Sequence, residues 1–431
     1  MYKKLSAPIM VQWETTPLCN HNCIHCYNYW RETSFLEKLP NNYQTEYQHI
    51  VEEIVGNKIF SVVITGGEPL IVIREIAPHI KYLVDNDVVV TMNSNLALMT
   101  RDIAAIVKDL GIKSILVSLP SIDKNINNSI TGSQGSLEKI INGIKIALEF
   151  GFIVSVNMVV SKKNFNSVME TAEFVSTLGI KNFCATRASD PSSNCEFSQY
   201  LLDINEFRQL ELILKEAKEK FRLNTDSLEA NPVCSFGDFK PDHSYRFCCA
   251  GKSTCTIGSN GEIRPCNRST MVYGNISEGL IPCWDSMDDW RSEKWIPIEC
   301  SDCKLKYLCG GGCKADAVKT YCDISKPDPL CDLNYIQTKG IAKELIKTKE
   351  QFFHINPKIK IREEEFGGVI FASTKKWLPV DGNLYRLIAS RKEEISITDI
   401  CNALQIISDD AITIASVLIS KQILLERRKT S

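Results

Sequence analysis

The chain has 431 residues, 44% of them hydrophobic, and suits two or three domains with sizeable cores rather than one. Its 50 basic and 52 acidic residues leave a formal charge of −2, which provides no electrostatic footprint for nucleic acid or an anionic membrane. No apolar run reaches the length of a membrane span, and the start, Met-Tyr-Lys-Lys-Leu-Ser-Ala-Pro, lacks a signal-peptide apolar core, so the sequence predicts a cytoplasmic protein.

From residue 8 to about 220, short apolar runs alternate with amphipathic stretches. The runs Ile9–Trp13, Ile59–Ile64, Val88–Met92, Ser114–Ser118, Ile153–Val160 and Lys181–Ala185 read as buried parallel strands. Tyr43–Val55, Ile73–Val84, Arg101–Leu110, Leu137–Phe150, Val168–Leu178 and Glu206–Phe221 carry a helical period. Six strand–helix units predict an α/β fold, a partial (β/α)6 TIM barrel over residues 1–221, with its active site at the C-terminal strand ends. An open doubly wound sheet is the alternative that pattern leaves. Residues 222–345 are rich in Cys, Gly, Pro and Asp, and such a stretch needs staples to hold it. Twelve of the eighteen cysteines fall between Cys234 and Cys331. Regular patterning resumes over 352–431. There, Lys358–Arg362 and Gly368–Ala372 read as strands, and Asp381–Ser390, Thr398–Leu404 and Asp409–Ser420 as short helices. Gln422–Arg427 is a last strand or tail, and the whole reads as a small winged-helix-like domain.

In a reducing compartment, bunched cysteines point to metal or catalysis rather than disulfides. Cys19, Cys23 and Cys26 directly follow the first strand. Three thiolates on a four-iron cluster leave one iron without a protein ligand, and an open metal position is where chemistry occurs. A zinc site completed by His21 or His25 is the alternative.

The Cys-x3-Cys-x2-Cys spacing, followed by Tyr27, resembles the radical S-adenosylmethionine (SAM) superfamily. The resemblance implies a 4Fe–4S cluster on Cys19, Cys23 and Cys26, with SAM on the open iron and reductive cleavage to a 5′-deoxyadenosyl radical. Gly66-Gly67-Glu68-Pro69, ending the second strand, is similar to the family's SAM-amine motif, in which the Glu68 carboxylate would suit an ammonium partner. Asn93, Ser94 and Asn95 match the family's third strand end, and Ser118 a SAM-contacting position on the fourth. Where many relatives carry Arg-Gly, this chain has Thr131-Gly132, which makes Arg187, at the sixth strand end, a candidate to receive the SAM carboxylate, with a surface salt bridge as the alternative.

The order Cys249, Gly261-x4-Cys266, Cys300-x2-Cys303-x5-Cys309-x3-Cys313 and Cys331 resembles the SPASM domain of radical SAM enzymes that modify peptides and proteins. Cys255 matches an eighth ligand found in some members. The resemblance implies two auxiliary 4Fe–4S clusters: one on Cys249, Cys255, Cys266 and Cys313, the other on Cys300, Cys303, Cys309 and Cys331. Without Cys255 the first of these would keep an open iron. A zinc ribbon is the alternative for Cys300–Cys313. Cys184, Cys195, Cys234, Cys248, Cys283, Cys322 and Cys401 receive no role.

The C-terminal stretch resembles the PqqD-like recognition module of enzymes acting on ribosomally made peptides, through Ile361-Arg362-Glu363, Gly367-Gly368-Val369 and Pro379-Val380-Asp381. Such modules bind a precursor's leader by strand addition. Asp399–Ser420 holds three acids and no lysine or arginine, a poor match to phosphate contact. The expected function is maturation of a precursor peptide by crosslink, thioether or epimerisation, with a flavodoxin- or ferredoxin-type reductant and no nucleic acid or membrane partner. Oxidation of a protein side chain, as in sulfatase maturases, is the second reading. Asp190, Asp242 and Asp316 are candidate general bases.

Overall fold

A computed structural model describes residues 3–28, 47–191, 195–241, 245–335, 347–390 and 393–426. Asp242 and the start of the helix expected from Tyr43 lie outside the described residues, and so does the side chain of Cys195. The chain divides into two compact units, Ala7–Gly340 with the first two residues, and Ile341–Ser431 with Lys3–Ser6.

The first unit is organised by one sheet. Its strands are β1 (Met10–Glu14), β2 (Ser61–Thr65), β3 (Val89–Ser94), β4 (Ser114–Ser118), β5 (Ile153–Val160), β6 (Asn182–Arg187), β7 (Asn224–Asp226), β8 (Thr254–Ile257) and β9 (Ile263–Arg264). Their order is β7-β6-β5-β4-β3-β2-β1-β8-β9. From β1 to β7 every neighbour is parallel and follows in sequence. A doubly wound sheet would reverse its order at a switch point, and this one does not. The sheet is the partial barrel expected from the six alternating units.

The alternation has a simple cause. Val11, Val62, Val90 and Ile115 are buried on the face that receives the helices, and each helix turns an apolar stripe toward them. Ile73–Asp85 buries Ile73, Ile76, Ile80 and Leu83 at helical spacing. Ile204–Phe221 buries Phe207, Leu210 and Leu214, and starts at an Asp203/Glu206 capping box.

The cysteine-rich stretch is not a separate unit. Its strand β8 pairs in parallel with β1, Met10 opposite Thr254 and Val11 opposite Cys255, so it widens the barrel sheet. Periodicity does not reveal this strand, because Thr-Cys-Thr-Ile is short and its neighbours carry turn residues.

The second unit holds two antiparallel three-stranded sheets. One has the order β14-β10-β15, from Glu394–Ser396, Phe352–Ile355 and Leu424–Glu426; the other is the meander β11-β12-β13, from Lys360–Glu364, Gly367–Ser373 and Lys376–Asp381. Helices Gly382–Ala389, Ile397–Leu404 and Ser408–Ser420 complete it. Phe353, Ile370, Leu384, Ile388, Ile400, Ala415 and Leu418 form its own core. No single described helix is long and apolar enough to cross a membrane.

Candidate active site

Parallel strands end on one side, so the loops after β1, β2 and β3 meet there. The loop after β1 carries Cys19, Cys23 and Cys26, all partly exposed. Backbone bonds, rather than side-chain packing, set its path. Gly67 N–H donates to Thr16 O at 2.7 Å and Glu68 N–H to Leu18 O at 2.8 Å. Asn22 N–H donates to Thr131 O at 2.8 Å and Ile24 N–H to Ile130 O at 2.9 Å. The second pair uses carbonyls that a helix C-terminus leaves unpaired, here those of Lys124–Thr131.

These approaches explain the glycines. A Cβ on Gly67 would stand 2.0 Å from Leu18 O, and one on Gly66, at φ +136°, 2.6 Å from Thr16 O. Gly132 adopts φ +61°, and a Cβ there would meet Asn22 O at 2.7 Å. Thr131-Gly132 therefore shapes the cysteine loop through its backbone, whatever holds the SAM carboxylate.

Glu68 is buried at 1% exposure. Its Oε1 accepts from Leu70 N–H at 3.0 Å and Ser94 Oγ at 2.7 Å, and its Oε2 from Asn95 N–H at 2.8 Å. Three of roughly four acceptor positions on a carboxylate are thus used. Glu68 first of all locks the end of β2 to that of β3, with one position on Oε2 left for a further donor. Burial raises its pKa against the pull of these donors. Pro69 is buried and opens the turn Pro69–Ile71. Asn95 Nδ2 also donates to Asn20 Oδ1 at 2.8 Å, inside the cysteine loop. Asn93 is partly buried, and Ser118 is exposed at the end of β4.

Arg187 has partners other than those the sequence suggests. It is buried, with Nε donating to Asn231 Oδ1 at 2.8 Å and Nη2 to Asp328 Oδ2 at 2.6 Å. Asp316 Oδ2 lies 3.0 Å from the same Nη2. Glu229 and Asp316 also pair with partly buried Arg268. Burial would raise the Asp316 pKa, but Arg268 and Arg187 hold it down at about 2. Arg187 thus ties β6 to the cysteine-rich stretch, and Asp316 is a committed ion-pair partner rather than a base. Asp190 differs: its Oδ1 is buried without a hydrogen-bond partner, and burial raises its pKa.

Four participants escaped sequence reasoning. Tyr47 Oη donates to Thr15 O at 2.7 Å, and Asn28 Nδ2 to Gly66 O at 2.9 Å. Asn267 Nδ2 donates to Tyr27 Oη at 2.9 Å, linking the residue after Cys266 to the residue after Cys26. Arg264 in β9 pairs with Glu14 at the end of β1. Only Asn267, next to Cys266, and Asn28, two residues after Cys26, carried a signal, their closeness to proposed ligands.

The later cysteines form two groups. Cys300, Cys303, Cys309 and Cys331 line one small cleft, and Cys234 lines it with them. A hydrogen bond with Cys331 lowers the Cys300 thiol to about 7, while burial pushes Cys309 up to about 11. In the other group, Cys249 and Cys266 interact electrostatically, and Arg268 acts on both Cys266 and Cys313. Cys255 stands apart from them. Thr254 Oγ1 donates to Cys249 Sγ at 3.4 Å, and successive strand residues face opposite ways. Cys255 therefore joins Val11 on the helix-facing side, 1% exposed. Its electrostatic neighbours are Cys283 and Arg291, whereas those of Cys266 include Cys248.

The chemistry of the donors, all thiols, suits iron–sulfur clusters, while among the described residues no three His, Cys, Asp or Glu side chains converge closely enough to hold a single metal ion. Three partly exposed thiols stand on a scaffold-held loop, and further thiols line a shared cleft. His25, one alternative zinc ligand, lies edge-on to Phe197 with ring centroids 6.4 Å apart.

Residues 13–175 match the model of the radical SAM superfamily. The chain is 24% identical over 351 residues to the AdoMet-dependent heme synthase of Methanosarcina barkeri, covering 77% of this chain and 98% of that one. It is 24% identical over 359 residues to the mycofactocin maturase MftC of Mycolicibacterium smegmatis, covering 81% and 89%. Among solved structures, Streptococcus suis SuiB bound to S-adenosylmethionine superposes with a TM-score of 0.63 at 21% identity, over 76% of this chain and 78% of that one. A three-cysteine loop gripped by glycines at parallel strand ends, the fold and the family match agree: the chain is an enzyme whose residues 13–175 match the radical SAM superfamily, a family that implies a 4Fe–4S cluster and SAM.

Proposed function

We propose that this enzyme modifies a ribosomally made precursor peptide in a cytoplasmic setting, drawing electrons from a flavodoxin- or ferredoxin-type reductant. The observation that carries the radical chemistry is the clasp of Gly67 and Glu68 on Thr16 and Leu18, the residues that lead into the three-cysteine loop. When bound, the cluster and SAM supply a 5′-deoxyadenosyl radical that removes a substrate hydrogen. The chain's own residues hold and screen this site. Cys19, Cys23 and Cys26 would hold three irons, Gly66–Pro69 and Asn93–Asn95 would receive the SAM amine, with Tyr27 and Ser118 beside it.

Cys249, Cys266 and Cys313 would hold the first auxiliary cluster. With Cys255 turned away, it keeps an iron for another ligand. Cys300, Cys303, Cys309 and Cys331 would hold the second. The Ile341–Ser431 unit serves as a leader-binding module. Its meander has two edge strands, Lys360–Glu364 and Lys376–Asp381, suited to strand addition. Pro379 removes one donor from the second edge. The maturase relative MftC supports this reading.

The heme synthase match favours a second reading, action on a heme precursor. That match spans 77% of the chain and leaves residues without a counterpart. The test incubates anaerobic full-length protein with SAM, reductant and either synthetic peptides from short reading frames beside its gene or a porphyrin. Peptide mass change with 5′-deoxyadenosine release supports the first reading, and porphyrin conversion the second.

A further inference from the structure

The carbonyls of Ile130 and Thr131 hold the cysteine loop by accepting from Ile24 and Asn22, so they fix it only if the end of the helix Lys124–Thr131 is itself fixed. Eight residues are too few for a helix to be stable by itself in water. Gly132 closes the helix as a left-handed cap, with its N–H on Asn128 O at 3.0 Å. Beside this cap runs a line of buried polar side chains. Thr131 Oγ1 lies 2.8 Å from Ser136 Oγ, Ser136 Oγ donates to Asn127 Oδ1 at 2.6 Å, and Asn127 Nδ2 donates to Ser121 O at 3.0 Å. Ser136 gives its one proton to Asn127, so Thr131 is the donor in the first contact. Asn127 O, 2.9 Å from Thr131 Oγ1, shares that proton.

Thr131, Ser136 and Asn127 are each at most 1% exposed. The line joins three elements: the loop after β4, which carries Ser121, the helix itself, and the helix Ser136–Glu149 at its first residue. In a buried line of this kind each group has a set partner, and removing one leaves the next unpaired. We propose that Thr131, Ser136 and Asn127 are positioning residues for the three-cysteine loop. Their hydrogen bonds set the helix end, and the helix end sets the path of Asn22–Ile24 and with it Cys23. It is the hydroxyl of Thr131, not its bulk, that acts. The consequence for SAM cleavage rests on the reading that Cys19, Cys23 and Cys26 hold the SAM-binding cluster, whereas the hold on the loop belongs to the chain alone.

The test is hydrogen exchange in metal-free full-length protein, read amide by amide by mass spectrometry. Thr131→Val keeps the shape and removes the hydroxyl. It should speed exchange at Asn22 and Ile24 about tenfold, and so should Ser136→Ala, while Ile153–Val160 stays as protected as in the wild type. Thr131→Ser should restore protection. Ser129→Ala removes an exposed hydroxyl bonded to Ile126 O on the same helix and should leave both amides unchanged. After anaerobic reconstitution, Thr131→Val should form 5′-deoxyadenosine about tenfold more slowly, and Thr131→Ser at the wild-type rate. If Thr131→Val loses protection in Ile153–Val160 as well, Ser136→Ala decides by the same criteria. Unchanged exchange at the two amides, no rescue by Thr131→Ser, or faster exchange with unchanged 5′-deoxyadenosine formation would overturn the proposal. Formation of 5′-deoxyadenosine by Cys23→Ala would instead remove the reading of the loop beneath it.

Discussion

The two ends of the first unit use cysteine in opposite ways. The Cys19–Cys26 loop is fixed by its backbone, through bonds to Gly67, Glu68, Ile130 and Thr131. In the cleft around Cys331, the sulfurs themselves meet: Cys234 touches Cys331, and Cys300 shares a hydrogen bond with it. The first loop is thus shaped by the barrel before any metal binds, and its thiols need hold only part of a cluster. The second region is short turns and little apolar core, with Val233, Leu305 and Cys309 as one small cluster. It is the kind of segment that metal ligands must hold together. A site meant to stay open is built by the scaffold, and a site meant to be closed is built by its ligands.

The largest expected effect breaks the comparison at its first term. Cys23→Ala should abolish 5′-deoxyadenosine formation while keeping about two-thirds of the iron, because the two proposed auxiliary clusters would have ligands of their own. Loss of all iron would show that the sites depend on one another. Gly67→Ala acts on the scaffold alone. Its new Cβ would press on Leu18 O, forcing the loop to move, at about 1–3 kcal/mol and a loss of SAM cleavage of at least about tenfold. Gly56→Ala, where the added methyl meets nothing within 4 Å, is the control, with activity unchanged. Assaying both for 5′-deoxyadenosine separates loop geometry from general damage.

In the second region, Cys249→Ala should cost about one third of the iron, and Cys255→Ala should leave cluster iron intact. Equal losses would return Cys255 to the ligand set. The smallest effect on SAM chemistry belongs to the tail. Deleting residues 352–431 should leave uncoupled SAM cleavage within about twofold but weaken peptide processing, since Phe353, Leu384 and Leu418 form a core of their own. Unchanged processing would mean that the leader is read elsewhere.

Much of this was legible in the residues. Ile153–Val160 was readable as a strand to the residue, because Val154, Val156, Met158 and Val160 recur at every second position and are buried. Gly66-Gly67 was legible as a motif, though its reason, the approach of Thr16 and Leu18, needed the fold. What the sequence concealed was orientation. Cys255 fits the spacing of a ligand, but its place in β8 turns it toward the helices. Arg187 stands at a suitable strand end, but carboxylates 129 and 141 positions away claim it. Cys234 lies outside the spaced motif and reaches the cleft only because Phe236 packs on Leu330. Spacing records which residues could meet, and strand parity and long-range packing decide which do.

The most direct test of the central claim is the paramagnetic resonance spectrum of the reduced protein with and without SAM, in wild type and Cys23→Ala. SAM should shift one cluster's signal in the wild type, and that signal should be missing from Cys23→Ala, whose remaining signals ignore SAM. A SAM-dependent shift that persists in Cys23→Ala, or none in the wild type, would contradict the claim that Cys19, Cys23 and Cys26 form the open, SAM-binding site.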